Sequence, residues 1–297
     1  PAPGSFQRGT LEVRGTASSS FRVFHAPGTP DGISDSAWKL DTYSPTAVTN
    51  GVLHPGLDIS TWPDGIHTVR LVVSDTAARV TSLSYSSFQI DTSPPGAPAL
   101  QIAAPAGQDH FVRNGNTITI AGQCESNAVV VSARLMSETG IVLTNAGLSV
   151  AISADGTISG AVTNSQWADA VSGRLELVIA DPAGNQSLAG LSNPLTVDNN
   201  PPWIGLEGLA ENAYFASLPI VIQGQYFDAG SGVAQIELST DGGWTFEPVA
   251  GWTNGTWMVS LNLDFEGLYE IIARATDRLG LARTTAPVHV NYVLDWF

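Results

Sequence analysis

The chain has 297 residues, a formal net charge of −15, 43% hydrophobic residues and 13% charged ones. The charged fraction is about half the usual one, while the apolar fraction leaves ample material for cores. A chain this acidic, whose only lysine is Lys39, is a poor partner for a phosphate backbone, and its one cysteine, Cys124, excludes an intrachain disulfide framework and a cysteine-cluster metal site.

In chain order, short alternating segments recur. T-L-E-V-R-G at 10–15 ends in Gly15. G-I-H-T-V-R-L-V-V-S-D at 65–75 follows, then S-F-Q-I-D closing at Asp91, then Pro94-Pro95. The same series restarts with T-I-T-I-A-G at 117–122, G-R-L-E-L-V-I-A-D at 173–181, P-L-T-V-D closing at Asp198, and Pro201-Pro202. It returns once more as P-I-V-I-Q-G at 219–224, G-L-Y-E-I-I-A-R-A-T-D at 267–277 and V-H-V-N closing at Asn291. Three markers in one order, about 100 residues apart, define three repeats. Each glycine reads as a strand stop. Period-2 alternation with Gly, Pro, Asn and Asp turns predicts an antiparallel sandwich for each. No long segment shows a 3.6-residue apolar period, so helices should be few. The expected architecture is all-β: three tandem immunoglobulin-like (Ig-like) antiparallel β-sandwiches in an elongated rod, spanning 1–92, 93–199 and 200–297. Double prolines make the linkers short and stiff.

The residues resemble tandem bacterial Ig-like domains of secreted and cell-surface proteins. In that family a strand like D-G-T-Y-T-V-x-A-x-A-x-D leads into an A-G-N turn. Asp64-Gly65 begins such a strand, Tyr269 holds its aromatic position, and Asp181-Pro182-Ala183-Gly184-Asn185 matches the turn. Asp277-Arg278-Leu279-Gly280 is a looser match, and Asp75-Thr76-Ala77-Ala78 lacks the turn glycine. E-S-N-A-V-V-V at 125–131, A-D-G-T-I-S-G at 154–160 and D-A-G-S-G-V at 228–233 extend the likeness. The resemblance implies spacers, adhesive modules or fibre units and is specific for fold alone.

Candidates for chemistry are few. S-T-D-G-G-W-T-F at 239–246 resembles the Asp-box of sialidase propellers, in which the Asp caps a hairpin turn, and a hairpin is expected here. No two of the five histidines sit at metal-ligand spacing, and no G-x-S-x-G nucleophile motif is present. His67 falls where Tyr269 falls in the third repeat, so it should plug a core position. His289 alternates with valines on a strand and should face solvent. The chain is therefore expected not to be an enzyme.

Calcium is the one cofactor considered. Domain junctions of some extracellular rods hold it between carboxylates and carbonyls, which suit a hard cation. Asp91, and Asp198 with Asn199 and Asn200, lie at the junctions, and Asp181 and Asp277 at loop ends could contribute. Turn capping is the plainer reading and stands first. Trp244, Trp252 and Trp257 cluster in the third repeat, where an exposed row would stack on sugars or a partner and a buried set would fill the core. Asn185 and Asn254 fit the glycosylation sequon. Cys124 shares parity with Ile118 and Ile120 and should be an unpaired, largely buried thiol.

The chain ends carry the last expectation. A chain starting at Pro1, with no signal peptide, reads as a processed product or a fragment. The second and third repeats have first strands at 99–104 and 203–209, but the first has no good candidate before Thr10. At the other end, V-N-Y-V-L-D-W-F aligns with V-D-N-N-P-P-W-I, so Trp296 matches Trp203. Truncation explains this. So does head-to-tail association, in which the segment carrying Tyr292, Val293, Leu294, Trp296 and Phe297 completes the first unit of the next copy. The expected function is a non-enzymatic extracellular stalk or filament subunit at the cell surface. Its partners would be itself or neighbouring domains of a longer chain, with no nucleic acid and no membrane span in this segment. The alternative is an accessory, carbohydrate-binding region of a larger secreted enzyme.

Overall fold

The computed structural model describes residues 2–143, 148–163 and 167–293. The described residues are strands and turns, with two single-turn 3-10 helices at Pro30–Gly32 and Asp35–Ala37. They form three pairs of sheets around three separate hydrophobic clusters.

The first unit contains β1 (Phe6–Gln7), β2 (Thr10–Ala17), β3 (Ser20–Pro27), β4 (Lys39–Ser44), β5 (Val48–Asp58), β6 (Gly65–Ser74) and β7 (Val80–Ile90). One sheet runs β1-β7-β6-β3-β4, and β2 pairs with β5 in the other. Leu11, Val13, Phe21, Val23, Leu53, Phe88 and Ile90 fill the space between them.

The second unit contains β8 (Ala99–Ala103), β9 (Phe111–Val112), β10 (Thr117–Gln123), β11 (Val129–Ser137), β12 (Ser149–Ile152), β13 (Thr157–Thr163), β14 (Ser172–Ala180), β15 (Gly190–Leu191) and β16 (Leu195–Val197). Its sheets run β12-β13-β10-β8 and β11-β14-β16-β9, with β15 on β14.

The third contains β17 (Trp203–Ile204), β18 (Ala213–Phe215), β19 (Ile220–Phe227), β20 (Val233–Ser239), β21 (Glu247–Pro248), β22 (Gly251–Thr253), β23 (Thr256–Leu261), β24 (Gly267–Asp277), β25 (Ala282–Thr284) and β26 (Val288–Tyr292). Its sheets run β17-β19-β23-β22 and β18-β26-β24-β20-β21, with β25 on β24. A short strand pairs in parallel with the last strand of each unit: β1 with β7, β9 with β16, β18 with β26. The three units therefore share a strand framework that differs at the first strand, and the three sequence markers fall on equivalent strands.

The marker glycines do not end their strands. β2, β10 and β19 each run at least one residue past Gly15, Gly122 and Gly224. In the second and third units the glycine is required by a first strand pressed against it. A Cβ on Gly122 would lie 2.3 Å from the carbonyl oxygen of Ala99, and one on Gly224 would lie 1.8 Å from that of Gly205. At Gly15 the nearest atom is the tip of the Leu53 side chain, 2.9 Å away. That difference follows from topology. β8 pairs with β10 and β17 with β19, whereas β2 pairs only with β5 among the described residues. The first unit thus presents an open β-edge where the other two carry a first strand.

Candidate functional site

Each unit ends its long central strand in the same turn. Asp75 Oδ1 accepts the amide of Arg79, Asp181 Oδ1 that of Asn185, and Asp277 Oδ1 that of Leu281, at 2.9, 2.9 and 2.8 Å. The fourth residue of each turn adopts a positive φ: Ala78 at 61°, Gly184 at 86° and Gly280 at 79°. Ala78 takes the left-handed conformation although it lacks the freedom of glycine, because the two amide bonds to Asp75 Oδ1 hold the loop closed.

The turns of the second and third units face the end of the preceding unit. At the first junction Arg8 Nη1 donates to Gly184 O at 2.8 Å, and Asn185 Nδ2 donates to Asp91 O at 2.9 Å. Asp64 caps the linker by accepting from Thr92 N and Ser93 Oγ. Glu125 lies near Asp91 and Asp181. Burial pushes its carboxyl above the ordinary range, and the charges of Asp181 and Asp91 add to the shift.

At the second junction Asp198, Asp228 and Asp277 converge, each offering an oxygen within 4.8 Å of the other two. Asp198 and Asp277 are buried, 1% and 2% exposed. Asp198 Oδ2 accepts Ser231 N at 2.7 Å across the junction, and Oδ1 accepts Asn200 N at 3.3 Å. Asp228 Oδ1 accepts Gly230 N and Gly232 N at 2.6 and 3.1 Å. A Cβ on Gly230 would stand 2.6 Å from Asp198 Oδ2, so only glycine admits this carboxylate. Burial pushes the Asp277 carboxyl up, and Asp198 and Asp228 push it further, against the lowering effect of the turn amides.

Of the sequence candidates for a metal, then, Asp198 belongs to an acidic cluster and Asp91 lies at the other junction. Asn199 turns away: its Oδ1 accepts Asn114 N at 2.7 Å and its Nδ2 reaches Trp167 O at 3.4 Å. Asn200 contributes its backbone amide to Asp198. Asp277 joins the cluster from the loop end where the sequence placed it. Asp228 enters the sequence reading only within D-A-G-S-G-V at 228–233, as part of the family likeness, and not as a ligand.

The tryptophan row does not form. Trp257 is 2% exposed within the third core and donates Nε1–H to Gly205 O at 3.2 Å. Trp252 packs edge-on against Tyr226, with centroids 5.5 Å apart. Of these three, Trp244 alone stands in solvent, 90% exposed at the tip of the β20–β21 hairpin. Asp241 caps that hairpin as expected, accepting from Thr245 N, Thr245 Oγ1 and Ser239 Oγ, which lower its pKa to about 2. Tyr292, read from the sequence as part of a partner segment, is spent on its own unit: it is 5% exposed and pairs with Phe215 and Gly267. Val293 follows it, 45% exposed, and donates its amide to Phe215 O. Leu294, Trp296 and Phe297 lie outside the described residues. His289 faces the surface and holds Glu211 at 2.7 Å. No helix among the described residues is long and apolar enough to cross a membrane.

No protein-family model matches the chain, and no curated protein matches it. Solved structures do. The fibronectin(III)-like modules of Clostridium thermocellum CbhA are 17% identical over 65% of this chain and 94% of theirs, with a TM-score of 0.29. A tandem-domain segment of titin is 12% identical over 95% of both chains, with a TM-score of 0.36. The N-terminal Ig domains of Down Syndrome Cell Adhesion Molecule are 13% identical over 99% of this chain and 36% of that one, with a TM-score of 0.37. These are likenesses to tandem Ig and fibronectin(III)-like modules; the sandwich architecture itself rests on the paired sheets and the three cores described above.

Proposed function

We propose that the chain is a non-enzymatic structural module of an extracellular surface protein, its tandem Ig-like units acting as a spacer. One observation carries this reading: side chains at the unit ends are committed to holding consecutive units together. Arg8 and Asn185 bind across the first junction, and Asp198 takes a backbone amide across the second. Short proline linkers add stiffness, and the acidic, lysine-poor composition suits an exposed surface. Small-angle scattering of the full chain tests it. A stiff tandem array has a radius of gyration well above the roughly 19 Å of a compact globule of this length. A value near that figure overturns the spacer reading.

A second reading is favoured by the open edge of β2. A strand from a second copy, added where β8 and β17 lie in the other units, would make the chain a head-to-tail fibre subunit. Deleting 294–297, which spares the buried Tyr292 and the Val293 amide bonded to Phe215, should then abolish polymers and leave each sandwich folded. Monomers of the intact chain at high concentration remove this reading and leave the first in place.

A further inference from the structure

We infer that the junction between the second and third units binds one calcium ion through Asp198, Asp228 and Asp277, and that the first junction needs none. The inference goes beyond the spacer reading and does not rest on it.

The three equivalent turns supply the comparison. In each, the first aspartate spends Oδ1 on turn amides. The other oxygen differs. Asp75 Oδ2 accepts Arg79 Nε at 3.0 Å. Asp181 Oδ2 accepts Asn185 Nδ2 at 2.9 Å, and the same amide group ties Asp91 O to the turn. In the third unit the corresponding residue is Leu281, which has no polar atom to offer. Asp277 Oδ2 is buried and without a partner, as is Asp228 Oδ2. Ser231, 3% exposed and adjacent to Asp198 through its amide, likewise has a buried Oγ with no partner. Buried polar atoms are ordinarily satisfied, and buried charges are ordinarily paired. Here three carboxylates converge where the two sister turns place an arginine or an asparagine.

The donor set selects the ion. All three groups offer carboxylate oxygens, which suit a hard cation. Each of the three carboxylates offers an oxygen within 4.8 Å of the other two, so one ion can reach all of them. Magnesium demands octahedral rigidity, dehydrates reluctantly and is seldom held by an all-protein cage, so the buried carboxylates favour calcium. Asp198 comes from the second unit and the other two from the third, so the ion bridges units and fixes their junction.

Calorimetric titration of the chelator-treated full chain with calcium, and thermal unfolding in calcium against EGTA, test the assignment. One saturable site is expected, with a midpoint raised by roughly 10 °C at a hundredfold excess over Kd. Asp277→Asn should weaken binding about tenfold or more by removing a charged ligand. Leu281→Asn restores the amide of the second unit. It should unfold above the unsubstituted chain in EGTA and lose most of its calcium response. Because that variant is expected to gain stability, misfolding cannot mimic the result. Absence of calcium binding by the unsubstituted chain overturns the proposal. So does a calcium response that persists in both variants, or magnesium binding as tight as calcium.

Discussion

His67 and Tyr269 occupy one position in two repeats and make one contact by different chemistry. His67 Nε2 lies 2.9 Å from Pro63 O, and Tyr269 Oη donates to Phe265 O at 2.7 Å. Each ring reaches back four residues to the carbonyl that precedes its strand. A carbonyl only accepts, so Nε2 of His67 carries the proton. The imidazole is 3% exposed and lies between Trp62 and Phe88. Replacing each residue by Phe keeps a ring and removes the donor. His67→Phe should cost about 1.5 kcal/mol, because a part-buried hydrogen bond is lost. Tyr269→Phe should cost about 1 kcal/mol, because water reaches Phe265 O. Chemical denaturation of both variants checks the order, and a larger loss for Tyr269→Phe contradicts it.

The marker glycines predict an uneven response to one methyl group. Gly122→Ala and Gly224→Ala drive a Cβ into backbone oxygens and should each cost about 3 kcal/mol or more. Gly15→Ala meets only the tip of Leu53 and should cost about 1 kcal/mol or less, since that side chain can rotate away. Equal losses at all three sites would show that β2 is covered by a first strand after all.

Asp241 titrates far below an ordinary carboxylate because Thr245 and Ser239 bond its charged form. Its folded-state pKa is lowered, so its contribution to the hairpin is complete above about pH 4 and is lost as pH falls towards 2. The Thr245 amide resonance should titrate with a midpoint of about 2, and Asp241→Asn should remove the titration. A midpoint of about 4 means the cap is not formed in solution.

Cys124 packs against the second core, only partly buried, with Sγ 3.4 Å from the carbonyls of Glu125 and Gly156. Burial raises its pKa, and the Glu125 charge raises it further. Both effects hold it as the unreactive thiol. A thiol reagent at pH 8 should label it slowly in the native chain and rapidly in denaturant. Comparable rates in the two conditions would contradict this account.

The candidate site was partly legible. Asp198 and Asp277 stand at the ends of strands whose pattern is plain in the sequence, so their place at unit ends could be read directly. Asn199 and Asn200 could not be told from Asp198, because neighbours on a chain point in different directions and only the packed junction assigns each direction. Trp257 and Met258 show the same limit within a strand: alternation says that they face opposite sides, and the sandwich decides that Trp257 is inside.

What the sequence determined by itself is local and periodic. Alternation of apolar residues requires strands, the D-x-x-G-x turns need only residues four apart, and the threefold return of these patterns yields three units. These depend on interactions within a few residues, which a linear pattern records. The tertiary structure decided what depends on residues far apart in the chain. It set Ala99 O against Gly122 and Gly205 O against Gly224, and left β2 with one neighbour among the described residues. It also brought Asp198, Asp228 and Asp277 together from three separate segments. A carboxylate's partner is fixed by the distance across a packed junction, and that distance exists only once two cores have formed and met.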